Sequence, residues 1–187
     1  MKLKLFLVLF FLVSVKIFAQ TKNLAPNIKA VDVHGKQFEL YSSTKPKIIQ
    51  FMRVYCGGRM TTQSAEQFKQ LVRYYEKYKD KILFVTVTLS SCQSSDLKEI
   101  AKYFGVKWTF INDFSDYKLD IIQAYSTYLK DLKDPALIFV NKKNEIVSKT
   151  DFCDDEKLKE YINLIIEKTS STKKKKSNKF SERRKQQ

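Results

Sequence analysis

Cys56 is the residue of this chain whose type and neighbours best suit covalent chemistry. It follows a β-rich run, Lys47–Val54, and precedes a stretch with helical apolar spacing at Phe68, Leu71, Val72 and Tyr75. Where a strand hands over to a helix, unpaired backbone N–H groups and the helix dipole stabilise an anion, so a thiol ionises more readily. Gly57 and Gly58 leave the backbone open to a partner chain, and Arg53 and Arg59 add positive charge. Asp134 opposes them if its carboxylate faces the sulfur. The balance predicts a thiolate with a pKa below the free value of about 8.5. The competing assignment is a buried structural cysteine, which the Gly-Gly turn argues against.

Two further cysteines complete the set. Cys92 follows the run Lys81–Leu89, and Cys153 lies where the final strand gives way to the last helix. If the strands before Cys56 and Cys92 are parallel neighbours, their ends point the same way. Cys92 is then the candidate to pair with or resolve Cys56. Cys92 bonded to Cys153, or unpaired thiols throughout, are the alternatives. The single histidine, His34, sits in a His-Gly-Lys turn, and three cysteines without a paired motif make no metal set. Neither a metal nor a cofactor is expected, because the apolar stripes fit a core.

The elements that must position these residues alternate. Val31–Leu40 suggests a hairpin turned at His34-Gly35-Lys36. The strand before Cys56 and its helix are followed by the strand to Leu89 and a second helix through Leu97, Ile100, Ala101 and Phe104, with Asp96 and Glu99 spaced as a capping box. A short strand at Trp108–Ile111, a helix at Tyr117–Tyr125, a hairpin of Ala136–Val140 with Glu145–Ser148, and a helix at Asp154–Glu167 complete the pattern. Strand–helix–strand alternation predicts a parallel sheet with right-handed crossovers, made mixed by the last hairpin. No internal repeat is visible.

Composition agrees. The chain has 187 residues, 43% hydrophobic and 29% charged, with 4 Gly and 3 Pro, which excludes collagen-like and wholly disordered classes. Its net charge of +15 gathers largely at one end. Residues 168–187 hold nine basic side chains against Glu182 alone, so 169–187 is expected to be a disordered basic tail. At the other end Lys2 and Lys4 precede the apolar run Leu5–Val15, and Ile17-Phe18-Ala19 offers a cleavage site. Residues 1–20 therefore read as a signal peptide, and the domain as 21–168. The body is expected outside the cytoplasm, periplasmic or extracellular, and membrane-associated if the signal stays uncleaved. For an exported protein the tail is expected on an anionic envelope surface rather than on nucleic acid.

The segments Ala25-Pro26, Gly35-Lys36, Lys47–Cys56 and Asp134-Pro135-Ala136–Val140 together resemble the thioredoxin-like superfamily, in particular its exported thiol–disulfide interchange branch. The resemblance spans about Leu24–Lys168. It implies an α/β fold: a three-layer α/β/α sandwich with a mixed central sheet. It places Tyr55 at the aromatic position, Cys56 at the nucleophile and Gly57-Gly58 in the middle of a Cys-x-x-Cys motif, with Arg59 where the second cysteine stands. Pro135 takes the place of a cis-proline facing the nucleophile. The family's buried acid falls on Gln50, which accepts no proton. Without the second cysteine, Cys56 is expected to act as a monothiol or with a distant resolver, of which Cys92 is the best candidate. Tyr55, Gly57, Gly58 and Asp134 are expected to line the substrate site, and the partners to be protein or small-molecule thiols and disulfides. The alternatives are a redox-inactive binding module of the same fold and, with Arg53 where a peroxidase would carry Thr or Ser, a peroxiredoxin-type enzyme.

Overall fold

The computed structural model describes residues 23–114 and 119–167; the expected signal peptide and basic tail lie outside them. Among the described residues no helix is long and apolar enough to cross a membrane. A small hairpin comes first, β1 (Lys29–Val31) with β2 (Gln37–Glu39), turned where expected. His34 sits in that turn, its N–H donating to Asp32 Oδ1 at 2.9 Å. The central sheet follows, built from β3 (Lys47–Arg53), β4 (Leu83–Leu89), β5 (Thr109–Asn112), β6 (Ala136–Val140) and β7 (Ile146–Thr150). Its order is β5-β4-β3-β6-β7, with β3 parallel to β4, β4 parallel to β5, and both β6 and β7 joined antiparallel.

Alternation along the strands divides the core into two layers. On one face Ile48, Met52, Phe84, Phe110 and Phe139 meet α1 (Thr62–Tyr78), α2 (Ser94–Phe104) and α5 (Asp155–Glu167). Phe68 of α1 is fully buried there, its ring 5.3 Å from that of Phe104, 6.4 Å from Trp108 and 6.0 Å from Phe110. On the other face Ile49, Phe51, Val85, Val87 and Ile138 meet the short helices α3 (Asp120–Ala124) and α4 (Ser126–Leu129) and the N-terminal segment. Tyr125 pins that segment: its ring lies 5.0 Å from Phe51 and its hydroxyl donates to Pro26 O at 2.7 Å. The three-layer α/β/α sandwich with a mixed sheet is thus present.

Three local expectations are corrected. The capping box at α2 does not form: the helix begins at Ser94 after Gln93, and no side chain caps it. The helix expected over Tyr117–Tyr125 is two short ones, and 115–118 lie outside the described residues. Asp113 sets the first of them by accepting the N–H groups of Ile121 and Ile122 at 3.1 and 2.7 Å. The strand expected at Glu145–Ser148 instead runs Ile146–Thr150, with an irregularity opposite Phe139 and Val140.

One buried charge stands far from any cysteine. Lys47 opens β3 with no exposed surface, its amine donating to Ser43 O at 2.9 Å and to Asn144 Oδ1. Burial pulls its pKa from 10.5 down to about 8. Between those values the unfolded chain holds a proton that the folded protein has released, so stability rises with pH across that window. The penalty on the charged form is complete below pH 8. Lys47→Met removes this component: between pH 7 and 10.5 the wild type should gain on the order of 2–3 kcal/mol relative to the variant, read from melting curves. Parallel curves would contradict it.

Candidate active site

The topology gathers the chemistry at one edge of the sheet. The C-terminal ends of β3, β4 and β7 and the N-terminal end of β6 all lie there, because β6 runs against its neighbours. Cys56, Cys92, Cys153 and Pro135 each sit just beyond one of these ends.

Cys56 is held differently from the expectation. Its turn is self-contained: the Tyr55 N–H donates to Arg59 O at 2.8 Å, closing Cys56-Gly57-Gly58 into a loop. Gly57 and Gly58 have φ of +82° and +74°, the left-handed region in which an L side chain is strained. Helix α1 begins only at Thr62, where Thr61 Oγ1 accepts the Ser64 N–H at 3.0 Å. Helix α1 thus begins six residues beyond Cys56 rather than directly after it. Tyr55 and Arg59 are both exposed, flanking the loop.

What lies against the Cys56 sulfur is Cys92. The Cys92 and Cys56 sulfurs lie 2.7 Å apart, inside van der Waals contact, and Ser91 Oγ lies 3.5 Å from the Cys56 sulfur. Cys56 is exposed and Cys92 is buried. These two neighbours, Cys92 first, lower the Cys56 pKa, against desolvation and the negative charge of Asp96 in the first turn of α2. Burial raises that of Cys92, and its contact with Cys56 raises it further. The two shifts oppose each other: the exposed sulfur ionises more readily than a free thiol and the sheltered one less readily. The loop carrying Cys92 is fixed by Ser90, whose hydroxyl accepts the Cys92 N–H at 3.1 Å, and by Asn112, which accepts the Ser90 N–H at 3.3 Å.

The peptide before Pro135 is cis and Pro135 is buried. Asp134 does not act on Cys56. Its Oδ1 accepts the Arg53 N–H at 3.1 Å and the Ser64 hydroxyl at 3.3 Å, bracing the proline loop against the end of β3 and the start of α1. Burial pushes its carboxyl up, with those hydrogen bonds pulling the other way. Cys153 is buried, its N–H donating to Gln67 Oε1 at 3.0 Å, and burial pushes its thiol up to about 11. At neutral pH it is a protonated core thiol.

Sequence reasoning missed Ser91 as a neighbour of Cys56. The signal available was the Ser90-Ser91-Cys92 run directly after a strand parallel to that of Cys56. Gln50 is fully buried; Thr86 Oγ1 donates to its Oε1 at 3.0 Å and itself accepts the Trp108 indole N–H at 2.9 Å. Among the described residues no group of three or more His, Cys, Asp or Glu stands close enough to hold a metal ion.

No family model and no curated protein matches the sequence. Solved structures do. The C-terminal domain of a protein assigned as a thiol-disulfide oxidoreductase in Bacteroides thetaiotaomicron is similar over 80% of this chain and 98% of its own, at 22% identity and a TM-score of 0.63. The thioredoxin domain of a Bacteroides vulgatus thiol-disulfide oxidoreductase is similar over 79% and 99%, at 18% identity and 0.60. A secreted Mycobacterium tuberculosis disulfide oxidoreductase is similar over 73% and 95%, at 14% identity and 0.56. The fold is that of thioredoxin.

Proposed function

We propose that this thioredoxin-fold protein exchanges disulfides with thiol substrates, with Cys56 as nucleophile and Cys92 as resolving thiol. The observation that carries the reading is the 2.7 Å contact between an exposed, acidified sulfur and a buried, protonated one. That separation is within an ångström of the ~2.05 Å of a disulfide bond. The Cys56 thiolate attacks one sulfur of a substrate disulfide, forms a mixed disulfide and expels the other sulfur as a thiolate. Cys92 then attacks the Cys56 sulfur, its proton passing to the departing thiolate. The second substrate sulfur leaves, and a Cys56–Cys92 disulfide remains. The substrate gains the two electrons that the cysteine pair gives up. Run backwards, the same steps oxidise a dithiol.

Arg59 stands where a Cys-x-x-Cys resolver would be, so the resolver comes from the loop after β4 instead. Export supports the reading, since disulfides persist outside the cytoplasm; it rests on the apolar run Leu5–Val15 behind Lys2 and Lys4. The basic segment 168–187 suits an anionic envelope surface. Cysteine mapping after mild oxidation of the purified protein tests the chemistry. A Cys56–Cys92 cross-link is expected, with Cys153 alkylated only after unfolding, and Cys56→Ser should abolish exchange with a small disulfide. A Cys92–Cys153 bond, or exchange persisting in Cys56→Ser, overturns it.

A further inference from the structure

A groove leads to the nucleophile from the far side of the proline loop. On the sheet face covered by α3 and α4, a cavity of about 480 Å³ is lined by Phe51, Leu89, Ile122, Leu129, Leu132 and Ala136. A second hollow of about 390 Å³, bounded by Val54, Tyr55, Ser90 and Ser91, shares Arg53 and Leu89 with the first. The two therefore meet at Arg53 and Leu89, and the second reaches Ser91, whose hydroxyl is 3.5 Å from the Cys56 sulfur. The two hollows adjoin at these residues, and Ser91 brings the second into the neighbourhood of the reacting thiol.

Its chemistry is two-sided. Leu89, Ile122, Leu129 and Leu132 are each only half-buried, so the floor presents aliphatic surface that nothing in the chain covers among the described residues. The rim is positive. Arg53 and Lys133 are exposed, and neither takes part in the ion pairs found among the described residues. Asp134, the carboxylate in the lining, is committed to the Arg53 N–H and Ser64. An apolar floor under a basic rim, formed by Lys133 and by an Arg53 that also attracts the Asp134 carboxylate, complements a chain carrying aliphatic and acidic side chains together. A second copy of this net-basic protein and its own basic end suit such a rim poorly.

We propose that the groove binds the polypeptide flanking the substrate's cysteine, selecting segments with an aliphatic side chain and a carboxylate close to that cysteine. This deepens the disulfide-exchange reading and rests on it. The test uses the full chain and three synthetic peptides, each bearing one cysteine as a mixed disulfide with 2-mercaptoethanol, flanked by Leu and Glu, by Ser, or by Leu and Lys. The Leu/Glu peptide should exchange about tenfold faster than the Leu/Lys peptide. In the double variant Arg53→Glu/Lys133→Glu the order should reverse. Equal rates for all three peptides, or an unreversed order in the variant, overturn the proposal. Cysteine-free Leu/Glu peptide supplies a readout independent of exchange, through NMR shifts of the Leu89 and Leu132 methyl groups. Shifts without any exchange keep the groove and sink the redox reading; absent shifts sink the groove.

Discussion

Cys92→Ser should turn the protein into a trap. Cys56 stays exposed and still attacks, but the mixed disulfide it forms loses the thiol that would release it. A resolver 2.7 Å away acts intramolecularly, and well-placed intramolecular groups match enormous concentrations of free reagent. Turnover at low external thiol should therefore fall by at least about a hundredfold, while a substrate adduct on Cys56 accumulates. Serine keeps an O–H to donate to the Cys56 sulfur, so the first step is expected to continue and the block to fall on release. Mass spectrometry of the quenched reaction reads both quantities. Wild-type turnover without an adduct would show that Cys92 is not the resolver. An adduct cleared only by added small thiol is the expected pattern.

Phe68→Ala should be the most damaging single core substitution in α1. Phe68 is fully buried and joins aromatic rings from α2, from β5 and from the segment leading into it. Truncating a buried Phe costs roughly 3–5 kcal/mol, through lost transfer energy and the cavity left behind. A domain of this size has about 5–15 kcal/mol in total, so the variant should sit near its unfolding threshold. Urea unfolding at neutral pH measures it: a midpoint lowered with an unchanged slope is expected. A loss under about 1 kcal/mol would mean that the neighbouring rings close the gap.

Much of this architecture could be read from residues alone, and the exceptions have causes. Strands β3, β4 and β6 are short runs rich in apolar and β-branched residues, a pattern local enough to read. Cys56 and Cys92 meet because they follow parallel neighbouring strands whose ends point the same way. The start of α1 was misplaced because periodicity shows which residues face the core and not where the first turn closes. Two adjacent left-handed glycines and the Tyr55–Arg59 bridge build a separate loop there, and Thr61 with Ser64 marks the true beginning. Part of what acidifies Cys56 was missed for the same reason. The neighbours that lower its pKa, Cys92 and Ser91, lie 36 and 35 residues away along the chain, where no spacing rule looks. Asp134, whose direction the sequence leaves open, accepts from the Arg53 N–H and the Ser64 hydroxyl and so braces the proline loop.

The cysteine pair belongs to consecutive strands, which gives it a mechanical meaning as well. A covalent link between Cys56 and Cys92 would encircle α1 and β4, the crossover unit at the centre of the sheet, within a ring closed across 36 positions. Constraining a denatured chain over that span is worth roughly 4 kcal/mol in the loop-entropy account. Each catalytic turnover would thus alternately fasten and loosen the middle of the scaffold, so that the oxidised molecule is the more heat-resistant of the two and the reduced one the more readily digested.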